Sequence, residues 1–227
     1  MKLVYAVLRN LRSWFVRRIF PPYEFATAPR SVKFGFDRGT PIDRKYISDF
    51  LLSHKQVVKG RCLEIGGSEY CEMLGVPPVD TYVLGANVSA GVRNIPGDLS
   101  DMSTLPETRF DTFICTQTLN FIFDFDAAIG NARKLLTPGG HFIGTVSGVA
   151  QVSLYDADRW GDFYRFTPEA INRHLRKHFS RVDIVVYGNH YALMNYLTGH
   201  AFEDLRQPQE IWNPDPRFPI IVGFIAT

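Results

Sequence analysis

From Arg61 onward the chain alternates short apolar runs with segments of helical period or turn chemistry. The runs are Cys62–Ile65, Tyr82–Leu84, Val92–Ile95, Thr112–Cys115, Phe142–Val146, Val182–Tyr187 and Ile220–Ala226. Strands separated in this way need crossover connections, which predicts a doubly wound α/β fold with a mostly parallel, seven-stranded sheet. Two helices stand out between and before the runs. One runs from Pro41 to about Lys55, with Ile42, Tyr46, Ile47, Phe50 and Leu51 on one face. Thr40 is its expected N-cap and Pro41 its first helical residue. The other spans Asp126–Leu136, aligns Ala128, Ile129, Ala132, Leu135 and Leu136, and is terminated by Thr137-Pro138-Gly139-Gly140. Thr167-Pro168-Glu169 caps a further helix through about His178.

The amino terminus has a different character. Leu3, Val4, Val7, Leu8, Leu11, Trp14, Phe15 and Ile19 repeat with helical period until Pro21-Pro22, which stop the helix. Four of its five basic residues lie off that stripe, and Arg18 falls within it. Residues 1–22 are thus expected as a basic amphipathic helix, and residues 23–227 as a single domain. The stripe can pack on that domain or on a partner chain. Alternatively, residues 1–20 can lie on an anionic membrane surface.

Composition narrows the class. With 227 residues, 45% hydrophobic and 21% charged, the chain can bury a full core. The net charge is +2, and the five basic residues before Tyr23 leave −3 for the rest. That balance, with no basic cluster interleaved with aromatics and no Pro-Pro-Tyr/Phe tetrapeptide after the fourth strand, argues against nucleic acid as partner. Cys62, Cys71 and Cys115 have no metal-ligand spacing, which suggests a reduced, cytoplasmic protein. Peripheral contact at the inner face of the membrane is the alternative linked to residues 1–20. No run is long and apolar enough to span a bilayer, and arginines interrupt the first apolar segment, against a secretory signal.

The chemistry is expected at the carboxyl ends of the strands, where open α/β sheets bind ligands. Arg61-Cys62-Leu63-Glu64-Ile65-Gly66-Gly67-Ser68 ends a strand in a carboxylate followed by two glycines, where backbone can turn sharply and approach a ligand. A dinucleotide fingerprint beginning at Gly66 would need glycines where Ser68 and Cys71 stand, and no phosphate-loop pattern occurs. The third strand is followed by Gly97-Asp98-Leu99-Ser100, and the fourth ends in Cys115-Thr116-Gln117-Thr118-Leu119.

This succession resembles class I S-adenosylmethionine (SAM)-dependent methyltransferases over Gly60 to about Ser147. The resemblance implies a Rossmann-like methyltransferase fold, SAM as cofactor, and Glu64, Gly66, Gly67 and Ser68 around its methionine end. It also implies Asp98 on the adenine amino group, Leu99 against the ring, and Thr116 and Gln117 along the methyl-transfer channel. The family usually has a glycine where Ser68 stands and an acid at the end of the second strand. Here Asn87 is the nearest substitute, a weaker acceptor for the ribose. Both departures keep open a second reading, a binding or scaffold module that has lost turnover.

A narrower resemblance rests on three segments in order, Phe34–Arg44, Thr116–Ile122 and Arg159–Thr167. They are similar to a bacterial methyltransferase subfamily found alone or fused to glycosyltransferases of envelope polysaccharide synthesis. It implies O-methylation of a sugar, or of a glycan or glycolipid intermediate. Among Arg38, Asp43 and Arg44, an arginine can pair with the cofactor carboxylate or form a surface salt bridge. Residues 153–166 follow the fifth strand, where Tyr155, Trp160 and Arg165 are candidates for sugar binding. A proton acceptor for the hydroxyl is expected at Asp158 or Asp156, with His190 next; His141 lies at the amino edge of the sheet. His174 and His178 have i, i+4 spacing but no supporting ligands, so no metal is expected and they read as a solvated basic face.

Overall fold

The computed structural model describes residues 26–77 and 80–227. The expected amphipathic helix at residues 1–22, and the membrane contact assigned to it, lie outside the described residues. The seven strands are β1 (Cys62–Ile65), β2 (Thr81–Gly85), β3 (Asn94–Pro96), β4 (Phe110–Thr116), β5 (Leu136–Ser147), β6 (Val182–Tyr187) and β7 (Ile221–Ala226). The helices are α1 (Ile42–Ser53), α2 (Glu69–Met73), α3 (Phe125–Leu135), α4 (Leu154–Ala157), α5 (Pro168–Leu175) and α6 (His190–Thr198). The strands form one sheet in the order β3-β2-β1-β4-β5-β7-β6. The first five are parallel, and β7 runs antiparallel between β5 and β6. Strand order therefore reverses between β1 and β4, which places the ligand crevice above those two strands.

Alternation along the central strands sends successive side chains to opposite faces. Leu63, Phe113 and Phe142 join a core with Ile129, Leu135, Ile171 and Leu175 from α3 and α5. Their neighbours Cys62, Ile114 and Ile143 join another core with Ile42, Tyr46, Ile47 and Phe50 of α1 and Leu193 and Tyr196 of α6. Phe50 lies over Gly223 of β7, where an added Cβ would come within 2.6 Å of its ring. The glycine is what lets α1 sit this close to the sheet.

Several local expectations need correction. Thr40 does not cap α1; its hydroxyl and N–H donate to the two carboxylate oxygens of Glu203, both at 2.7 Å, and Pro41 takes the cap position. The strand placed at Val92–Ile95 forms at Asn94–Pro96, and Val92 is exposed. Asp124 caps α3 by accepting the Ala127 N–H at 3.2 Å. The Thr-Pro-Gly-Gly segment is absorbed into β5, where the pairing with β4 shifts register between Phe110 and Thr112. His174 and His178 do not form a solvated face. Their ring nitrogens lie 2.7 and 3.7 Å from Asp126, with the Lys177 ammonium at 3.1 Å, so the cluster ties α5 to α3. No helix among the described residues is long and apolar enough to cross a membrane.

Candidate active site

Two clefts open along the carboxyl edge of the sheet, and Phe121 lines both. The first, about 780 Å³, lies over the ends of β1, β2 and β3. Gly66, Asn87, Asp98 and Leu99 form its floor and wall, and Ile122, Phe123, Trp160 and Phe163 supply apolar surface opposite. Gly66 has φ +86°, a conformation that favours glycine, and its N–H donates to the Leu84 carbonyl at 2.8 Å. A Cβ built on Gly66 would meet nothing within 4 Å, so the space beside this backbone is open to a ligand. Asp98 accepts the Ser100 N–H and hydroxyl at Oδ1, 2.8 and 2.7 Å, which holds the carboxylate at the cleft while Oδ2 takes no bond from the described residues.

The second cleft, about 790 Å³, lies over β4 and β5. Its walls come from four places: Phe34 and Phe36, Asp43 and Arg44 of α1, Thr116 to Phe121 after β4, and Gln151 to Asp156 after β5, with Tyr196 behind. Gln117 has φ +49°, unusual for a residue with a side chain, and is held there by its N–H to the Thr145 carbonyl (2.8 Å) and its Nε2 to Thr145 Oγ1 (3.2 Å). Such strain at a strand end, over-determined by its neighbours, is what functional turns show.

The residues singled out from sequence divide unequally between these clefts. Gly66, Asn87, Asp98 and Leu99 line the first, and Thr116, Gln117, Tyr155, Asp156 and Arg165 the second. Trp160, expected beside Arg165, lines the first cleft instead, because the α4 turn carries it back and its Nε1 donates to Asp156 Oδ1 at 3.2 Å. Glu64 lines neither. It is 2% exposed and accepts the Tyr70 and Cys71 N–H groups at 3.1 and 2.7 Å, so it shapes the glycine turn from beneath. Burial raises its pKa, and those two bonds oppose the rise. Gly67 and Ser68 also stand back from the clefts, and Ser68 Oγ donates to Glu72 at 2.7 Å. Asp158 and His190 are exposed and border neither cleft; the His190 ring packs on Phe218.

Arg165 is a clamp. It donates to Asp162, to the Gln151 carbonyl at 2.6 Å and to the Tyr164 carbonyl at 2.8 Å, leaving little of its fork for a ligand. Arg38, considered for a cofactor carboxylate, forks onto Asp204 at 2.7 and 2.8 Å instead. Three residues that sequence reasoning gave no role, Asn120, Phe121 and Tyr196, sit on the cleft walls. Asn120 and Phe121 fall inside a quoted segment, but nothing in their spacing marks them. Tyr196 is marked only by the apolar stripe of α6.

A family model described as "Methyltransferase domain" matches residues 66–144, the span from the glycine turn to the middle of β5. No curated protein sequence matches this chain. A SAM-dependent methyltransferase from Archaeoglobus fulgidus superposes with a TM-score of 0.53 at 13% identity, covering 81% of this chain and 93% of the other. The N-methyltransferase NodS from Bradyrhizobium japonicum, solved with S-adenosyl-L-homocysteine, gives a TM-score of 0.51 at 15% identity, covering 84% and 89%. At such identities these likenesses establish the fold.

Residues 66–144 thus carry the match to a methyltransferase domain, and the sheet that holds them has the fold of these SAM-dependent methyltransferases. The open space at Gly66, beside the Asp98 carboxylate and the apolar wall, suits the adenosine of such a cofactor.

Proposed function

We propose that this chain is a class I SAM-dependent methyltransferase that transfers the methyl group to a hydroxyl of a sugar, free or within a glycan or glycolipid. The observation that carries the reading is the second cleft, which joins the cofactor cleft at Phe121 and offers a wall of hydroxyl, amide and carboxylate groups beside an exposed tyrosine. Gln117, Gln151, Ser153 and Asp156 can exchange hydrogen bonds with hydroxyls, and the Tyr155 ring can stack on sugar CH faces. The similarity of Phe34–Arg44, Thr116–Ile122 and Arg159–Thr167 to envelope-polysaccharide methyltransferases points the same way.

Bound SAM supplies a methyl group on a sulfonium, ready for in-line displacement. The protein's part is to bring the acceptor to attack distance in a cleft shielded from water and to take the hydroxyl proton. Among the carboxylates and histidine weighed from sequence, Asp156 is the one at the cleft. Ser153 Oγ and Trp160 Nε1 donate to it at 2.6 and 3.2 Å, which orients its oxygens. Asp156 would take the proton that the acceptor hydroxyl loses when it is methylated.

The test is incubation with tritium-methyl SAM and a panel of nucleotide sugars, envelope glycolipids and polysaccharide. Label recovered as a methyl ether of a monosaccharide supports the reading. Label appearing on amino or carboxyl groups, or on no sugar while SAM is bound, overturns it.

A further inference from the structure

Three large aromatic side chains stand exposed around the first cleft: Phe123 is 72% exposed, Trp160 48% and Phe163 46%, and all three line it. Exposed apolar surface gathered at one cleft marks a surface that a ligand covers. The three come from two loops. Phe123 precedes α3, while Trp160 and Phe163 follow α4, and the Phe123 and Phe163 rings meet edge to face with centres 5.4 Å apart. Between Trp160 and Phe163 the chain turns at Gly161, φ +89°, where an added Cβ would overlap the Phe163 ring. Glycine is therefore what lets both rings line the cleft together. The Phe163 and Tyr164 N–H groups donate to the Asn120 carbonyl at 2.9 and 3.2 Å, which ties this turn to the loop after β4.

Trp160 is also attached to the other cleft. Its backbone N–H donates to the Asp156 carbonyl at 2.9 Å, and its indole Nε1 donates to Asp156 Oδ1 at 3.2 Å. Asp156 lines the second cleft, where its Oδ2 accepts the Ser153 hydroxyl at 2.6 Å. The indole thus gives its ring to one cleft and its single donor to a carboxylate of the other. Whatever fixes the ring fixes the donor as well. A ligand lying on the ring favours the arrangement in which Asp156 is held, and an anchored Asp156 keeps the ring ready for the ligand. The two effects are one coupling free energy, equal in both directions.

We propose that Trp160 is a positioning residue that couples the two clefts: its ring covers the adenosine in the first, and its N–H sets the Asp156 carboxylate in the second. The proposal rests on the cofactor reading and does not depend on the identity of the acceptor. Phe123 and Phe163 complete the aromatic wall, on which a flat base can pack. The consequence is an order of events. A loaded first cleft holds Asp156 in place before the acceptor enters, whereas in the empty protein the indole is held by the Asp156 bond without a ligand on its ring.

The probe is S-adenosylhomocysteine, titrated by calorimetry and by tryptophan fluorescence into the full chain, Trp160→Phe, Asp156→Ala and the double variant. Trp160→Phe keeps a ring and removes the donor, while Asp156→Ala removes the acceptor at a residue outside the first cleft. Each single variant should weaken the probe at least about threefold, the scale of one hydrogen bond. The double variant should bind no more weakly than the worse single one, because both substitutions remove the same bond. The probe should also quench indole emission in the full chain. Most of that change should vanish in Trp160→Phe, where Trp14 and Trp212 remain as emitters, a signature that a purely structural role does not give. Unchanged affinity in Asp156→Ala, losses that add in the double variant, or a full quench in Trp160→Phe each overturn the coupling. If Asp156→Ala does not fold, the affinity and quench of Trp160→Phe decide. Failure of the unmodified chain to bind the probe overturns the cofactor reading, and the coupling with it.

Discussion

Replacing Arg165 by methionine tests whether the loop after β5 is held by one buried ion pair. The Arg165 side chain is 26% exposed and that of Asp162 is fully buried, and Nη2 meets Asp162 Oδ2 at 2.7 Å. The substitution keeps much of the side-chain volume but removes the fork and the bonds to the Gln151 and Tyr164 carbonyls. It leaves the Asp162 carboxylate with the Ser153 N–H at 2.9 Å as its remaining protein partner. Breaking a buried pair costs about 3–5 kcal/mol, and the partial exposure of Arg165 argues for the lower end. For a chain of this size that corresponds to a melting-temperature drop of roughly 6–12 °C.

The pH dependence provides a second check. Burial alone would raise the Asp162 carboxyl, but Arg165 and the Ser153 N–H outweigh it and hold the group below its usual value. Its stabilising contribution is therefore present above the unfolded carboxylate pKa, about 3.9, and is lost as pH falls through the lower folded value. In the variant the fork is gone, the carboxyl moves up, and protonation relieves the buried charge. Thermal unfolding followed by circular dichroism should show a larger gap between the two proteins at about pH 7 than at about pH 4.5. A drop below about 2 °C, which corresponds to under ~1 kcal/mol, or a gap independent of pH, would refute the clamp.

Asp98→Ala should weaken SAM binding by at least ~1 kcal/mol through loss of a charged hydrogen-bond acceptor, read by calorimetry, and unchanged affinity in a folded variant removes the adenine assignment. Gly66→Val should weaken it at least as much, because a branched side chain would occupy the open space and disfavour φ +86°; retained affinity would show that the ligand lies elsewhere. Deleting residues 1–22 should leave a folded, SAM-binding protein, and flotation of both proteins on anionic vesicles tests the membrane contact. Equal flotation of the two rules out the membrane contact, and insoluble truncated protein would mean that the stripe packs on the core.

The sheet was legible because its information is local. Alternation within Cys62–Ile65, Phe110–Thr116 and Phe142–Ser147 sets which side chains face each core, and the glycine turn at Gly66 follows from backbone chemistry alone. The positions of Asp98, Leu99, Thr116 and Gln117 at strand ends followed from the same pattern and from the family resemblance. What the sequence left open are contacts set by strand order and crossover packing. Trp160 and Arg165 are five residues apart yet face different clefts, because the α4 turn and the Asp162 clamp send them apart. Thr40 is drawn out of its capping role by Glu203, 163 residues away, to which it donates. Arg44 and Asn120 line one cleft only because α1 packs against β7 and α6, and no periodicity along one segment records how two segments meet.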